Sequence, residues 1–209
     1  MKDAPLTPIP AAEVVGALTV PFTPKEAVDL RDRRVTGALD LRGRELCGFD
    51  LSGSLFEGPV LLDGATTRGL SWLRDCRFEA KLSGEGARFG NDLRLDGSVI
   101  AGELSLSKAE FWGALVLDGA EVQGTAFLDA MQVLGSLSIP GTRFAAPVSM
   151  EGTDAWGGLW AQGARFASRL NATGMEIHGR TWLRDVRMGE GTGLTRLTSQ
   201  LTLYGYLWS

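Results

Sequence analysis

The chain has 209 residues, 44% of them hydrophobic and 22% charged, with a formal net charge of −4, a balance that suits one water-compatible domain with its own core. So small a net charge gives no electrostatic reason for direct nucleic-acid binding. No run is long and apolar enough for membrane insertion, and two cysteines are too few for a disulfide scaffold.

The first residues, Met1-Lys2-Asp3-Ala4-Pro5, continue through Pro8 and Pro10. They lack a basic start followed by an unbroken apolar stretch, so no secretory signal is read and a cytoplasmic location is expected. Residues 1–34 are read as a non-repeat segment that caps the fold. Within it, Thr23-Pro24-Lys25-Glu26 matches a capping box with proline at the first helical position, which predicts a short helix over 24–31. The competing reading is a degenerate coil with Val28 and Leu30 inward.

From Gly58 to Gly189 the chain reads as twelve uninterrupted 11-residue units of the pattern G-x-L-x-L-x-G-A-x-F-x, as in Gly102-Glu103-Leu104-Ser105-Leu106-Ser107-Lys108-Ala109-Glu110-Phe111-Trp112. A fixed short period buries apolar side chains only by stacking each unit on its copies, which specifies a solenoid. Apolar and polar residues alternate, so Leu104 and Leu106 share one side of a short strand, and Ala109 and Phe111 one side of the next. Gly, or Asp-Gly as at Asp118-Gly119, falls where the chain must turn a corner. One unit per turn would give a perimeter of only about 36 Å, too tight for a Phe and two Leu in every coil. Two units per turn, 22 residues with four faces, fit, with coils about 4.8 Å apart. The main inward positions are then Leu41, Leu46, Leu51, Phe56, Leu62, Thr67, Leu73, Phe78, Gly84, Phe89, Leu95, Ile100, Leu106 and Phe111. Thr67 and Gly84 stand where neighbouring units use Leu or Phe, and are expected to narrow the coil or enclose an ordered water.

The stretch Phe49-Asp50-Leu51-Ser52-Gly53 followed by Ser54-Leu55-Phe56-Glu57-Gly58 resembles the pentapeptide-repeat family, whose motif A-[DN]-L-x-x points Leu or Phe inward. The resemblance runs over residues 35–189, with an extra residue on every second face. It implies an all-β fold, a right-handed quadrilateral parallel β-helix, with residues 190–209 left as a C-terminal cap or association segment. Parallel crossovers favour the same hand. Some members of that family are duplex-DNA mimics that occupy the DNA site of type II topoisomerases such as gyrase. Here the stretch from Asp92 to Asp154 holds nine acids and three bases, a net of −6, so the middle of the rod is acidic.

Catalytic chemistry finds little support. His178 is the sole histidine, on an outward corner with no nucleophile fixed beside it, and reads as a solvated side chain. The sequence has no C-x-x-C, H-E-x-x-H or paired histidines, and the recurring Asp63, Asp96, Asp118 and Asp129 read as corner residues, so no metal or other cofactor is expected. Glycines at the repeat period do not form a phosphate-binding loop. Cys47 and Cys76 read as reduced, buried thiols.

Function is therefore expected on the outer faces. The 22-residue period places Trp72, Arg94, Val116, Ser138, Trp160 and Trp182 in one outward column, and Arg68, Gly90, Trp112, Leu134, Trp156 and His178 at the corner before it. Trp112, Val116, Leu134, Trp156, Trp160 and Trp182 would then form an apolar patch for a protein partner or a second copy of the chain, unless the tail after Leu194 folds back to cover it. Another face carries the ladder Arg143, Arg165 and Arg187, suited to an anionic partner. The reading is a non-enzymatic β-helical scaffold, with a gyrase-binding DNA mimic as the alternative. If the inward register is right, truncating Leu106 or Phe111 to Ala should cost about 2–5 kcal/mol and Glu110→Ala little. Equal losses in denaturant melts would overturn it.

Overall fold

A computed structural model describes residues 6–189 and 194–209. The expected leaderless start at 1–5 and the first residues of the expected C-terminal segment, 190–193, lie outside the described residues. The chain winds as a parallel β-solenoid with four sheets of nine, nine, eight and seven strands. Most strands are only two residues long. We number the faces in chain order from Arg77–Phe78 (face 1), through Leu82–Ser83 (face 2) and Arg88–Phe89 (face 3), to Leu93–Arg94 (face 4). In-register partners lie 22 residues apart: Arg77 opposite Val99, Leu82 opposite Leu104, Arg88 opposite Glu110, and Leu93 opposite Leu115. One turn is thus two 11-residue units. The first turns step by 21, as in Glu45 opposite Thr66 and Val28 opposite Phe49, because the corner at Cys47 and Gly48 holds one residue fewer.

The corners divide glycine into two physical roles, where the sequence reading gave it one. Every eleventh residue from Gly53 to Asp185 has positive φ. Glycine fills most of these sites, but Asp75, Lys108, Ala130 and Asp185 hold the same left-handed turn with φ between 52° and 60°. The corner between faces 3 and 4 uses glycine for room. Gly113, Gly135, Gly157, Gly179 and Gly205 stack coil upon coil, and a Cβ on Gly157 would sit 2.6 Å from the Gly135 carbonyl.

Inside, identical side chains meet their copies one coil away. Phe56 stacks on Phe78 at 4.8 Å, Phe89 on Phe111 at 5.0 Å, and Phe144 on Phe166 at 5.1 Å, all within 5° of parallel. Such burial and ring contact supply most of the stability. The expected inward residues are all buried. Where a small inward residue is Ser or Thr, its hydroxyl bonds the preceding coil: Ser98, Thr142 and Thr153 donate to the carbonyls of Leu73, Leu117 and Leu128 at 2.7, 2.7 and 2.6 Å. Thr67 needs no water, because buried Ser71 donates to its Oγ1 at 3.1 Å. Leu106 fills the space beside Gly84, where a Cβ would lie 3.1 Å from its Cδ2.

The ends depart from expectation. Helix α1 is Ala11–Leu18, burying Ala11, Val14 and Leu18 on the first coil, and its Leu18 carbonyl accepts from the Cys47 amide at 2.9 Å. It follows a strand, Thr7–Pro10, that pairs with Arg33–Thr36 on face 1. The helix expected over 24–31 is absent. Glu26 closes only a turn on Thr23, and Val28–Asp29 is a strand on face 4, with Val28 and Leu30 amides bonded to the carbonyls of Gly48 and Asp50. An eight-residue helix is marginal alone, and pairing with the next coil satisfies the same backbone groups better. At the other end, short helix α2 (Leu194–Thr198) is followed by Leu201–Leu203 on face 3 and Leu207–Trp208 on face 4, each 26 residues from its partner. The last segment resumes the coil.

The two glycine roles separate by mutation. Gly157→Ala should lower stability by about 1–3 kcal/mol through overpacking. Ala130→Gly should raise it by up to about 1 kcal/mol, since relief of the left-handed strain exceeds the entropy that glycine adds to the unfolded chain. Urea melts in which both variants lose stability equally would refute the division.

Candidate functional site: two aromatic columns and an arginine ladder

Strand register on face 4 sets Trp72, Arg94, Val116, Ser138, Trp160 and Trp182 in one outward column, and extends it to Trp208. Backbone hydrogen bonds between coils align the corner column Gly90, Trp112, Leu134, Trp156, His178 and Tyr204 in the same way. The tail therefore does not fold back over the aromatic residues; it adds one ring to each column. Trp112, Leu134 and Trp156 are 69%, 51% and 50% exposed, whereas Val116, expected in the same patch, is only 7% exposed. A short side chain with a neighbour one coil away on either side keeps little free surface, so Val116 offers a partner little to touch.

The C-terminal rings stack on one another. Trp160 lies 5.4 Å from Trp182, which lies 4.9 Å from Trp208. His178 is held between Trp156 at 4.0 Å and Tyr204 at 4.7 Å, within 7° of parallel to each. Because the ring faces cover each other, solvent meets mainly ring edges, and a partner would meet a flat apolar strip. His178 is thus a half-buried member of a stack, with Nε2 3.6 Å from Glu176 Oε2. The signal for this was weak in the sequence, since Tyr204 follows His178 by 26 residues and lies off the 22-residue period.

On adjoining face 1 the outward column reads Arg77, Val99, Glu121, Arg143, Arg165 and Arg187. Arg77 is paired with Glu79. Arg143, Arg165 and Arg187 form no ion pair among the described residues. They border a groove of about 430 Å³ that also touches Ala145, Ala167, Met188 and Gly189. A larger groove, about 690 Å³, runs along face 2 beside α2 and is lined mostly by polar side chains such as Ser149, Asn171 and Gln200. On face 3 the column is Arg88, Glu110, Gln132, Asp154 and Glu176, with Arg88 and Glu110 paired at 3.4 Å.

Both cysteines are free and buried. Burial pushes the Cys76 thiol up to about 12 and raises Cys47 as well, so neither is poised as a nucleophile. Among the described residues no helix is long and apolar enough to cross a membrane.

No family model matches this chain, and no curated protein matches it. Among solved structures it is similar to QnrB1 in a trypsin-treated form, a plasmid-mediated fluoroquinolone resistance protein, at 14% identity over 88% of this chain and 91% of that one, with a TM-score of 0.20. At that TM-score nothing about this chain's partner follows from the likeness.

Stacking makes the columns part of the stability as well as of the surface. Trp182→Ala breaks two ring contacts and should cost about 1–3 kcal/mol, whereas Trp112→Ala, whose ring stands alone, should leave the denaturation midpoint nearly unchanged. Equal midpoints for the two variants would contradict the stacked arrangement.

Proposed function

We propose that the protein is a non-enzymatic pentapeptide-repeat-type scaffold that binds a protein, a second copy of itself included, through its outer faces. The observation that carries this is the aromatic strip in which Trp112, Leu134 and Trp156 stand exposed and lead on to half-buried Trp160 and Trp182, the latter stacked by the tail's Trp208. Exposed, contiguous Trp-rich surface is uncommon on a protein without partners. The ladder Arg143, Arg165 and Arg187 lies on the next face, so the partner we infer has an apolar patch flanked by carboxylates. Two unpaired cysteines favour a reducing compartment such as the cytoplasm.

A second reading rests on the acidic middle, nine acids against three bases between Asp92 and Asp154. A rod with that surface could stand in for duplex DNA on a type II topoisomerase. In that case the purified protein would change gyrase supercoiling, and the aromatic strip would be dispensable.

The test uses a photo-crosslinking amino acid placed at Leu134 on the strip or at Phe127 on face 2, with light scattering to separate self-association from other partners. Crosslinks to protein from position 134 and not from 127, lost on Trp112→Asp with Trp156→Asp, are the expected outcome. Equal crosslinking from both positions, or none from 134, would defeat the binding-strip reading.

A further inference from the structure

We infer that Asp154, Glu176 and His178 form a binding site for a divalent transition-metal cation of the zinc or cobalt type. This goes beyond the scaffold reading and does not depend on it. Sequence spacing shows only Glu176 and His178 close together, because Asp154 comes from the preceding coil. Asp154 and Glu176 are in-register neighbours on face 3, and His178 follows at the next corner. One ligand atom from each lies within 4.8 Å of the other two, and all three residues are half-buried.

Two further observations point to a cation. The first is charge. Carboxylates one coil apart repel, and the other acid of this column, Glu110, has Arg88 as its partner. Neither Asp154 nor Glu176 is paired with a lysine or arginine among the described residues; His178 alone faces Glu176. The second is preorganisation. The imidazole is clamped between Trp156 and Tyr204, which fixes the ring plane and leaves its nitrogen-bearing edge free to bind. A metal would lose little entropy in ordering that ligand.

The donor set selects the ion. One imidazole nitrogen with two carboxylates suits zinc or cobalt, whereas calcium and magnesium take oxygen donors. Ligand bonds of about 2.0–2.2 Å place donor atoms roughly 3–3.5 Å apart. The carboxylates must therefore draw in by small rotamer changes while the clamped ring stays put. Three protein ligands leave coordination positions open to water. Gln132 and Thr202, in register with Asp154 and Glu176, flank the site with neutral oxygens. A bound ion would tie two coils together next to the terminal one.

The test is calorimetric titration of chelator-treated full-length protein with ZnCl2, and with CoCl2 followed by visible absorption. One-to-one binding is expected, weakened by at least about tenfold in Asp154→Asn and in His178→Gln, and unchanged in Glu103→Gln. Zinc should also raise the thermal midpoint of the wild type. Because His178→Gln removes a stacked ring and could loosen the last coil, Asp154→Asn decides. Absence of saturable uptake by the wild type, or equal affinity in Asp154→Asn, overturns the assignment.

Discussion

The parallel hydrogen-bonded register between coils is the constraint on which everything else rests. Once residue n must lie beside residue n + 22, each position in the cross-section becomes a column, and a column favours side chains that stack on their own kind. Phe on Phe fills the interior, Gly on Gly permits the tight corner, and Trp on Trp builds the outer strip. Hydroxyls of Ser98, Thr142 and Thr153 join coil to coil by donating to the carbonyls of Leu73, Leu117 and Leu128. Stability of this kind is a sum over neighbouring turns rather than the property of one central core.

Stacking also sets what is hard for the fold. Like charges in a column repel, and at Glu110 the chain answers by placing Arg88 beside the acid. Arg143, Arg165 and Arg187 on one face, and Asp154 with Glu176 on another, are left without that remedy. These are the places where local preference and the fold disagree, and such disagreement is where binding sites are most often found.

Much of this was legible in the sequence, and the limits have physical causes. Leu104, Leu106, Ala109 and Phe111 declare the inward side because strand alternation leaves no other way to bury them. The two tryptophan columns follow once 22 residues are taken as one turn. What could not be read lies where the period breaks. The 26-residue spacing from Ile177 to Leu203 hides Tyr204 and Trp208 from any fixed-period alignment. The capping-box pattern at Thr23 is sound locally but loses to the strand that the neighbouring coil demands at Val28. Gly157 and Gly163 look alike on paper, yet one lacks space for a Cβ and the other holds a positive φ. Val116 shows that outward is not the same as exposed.

The two ends of the coil bear on a hazard common to every open sheet. A stack of parallel strands ends in unpaired backbone groups, and a further copy could in principle dock there and continue the stack into a fibre. Here the first strand of face 1 carries Pro8 and Pro10, which have no amide hydrogen to offer, and α1 lies over the core beside it. At the far end, among the described residues, the last strand of face 2 is Leu170–Asn171, while faces 3 and 4 continue to Leu201–Leu203 and Leu207–Trp208. Among the described residues, the two ends of the coil present different sets of edges. The repeat can thus be nearly perfect in its middle while its first and last described turns differ from it and from each other, so that the surfaces most open to further pairing are the ones the repeat does not dictate.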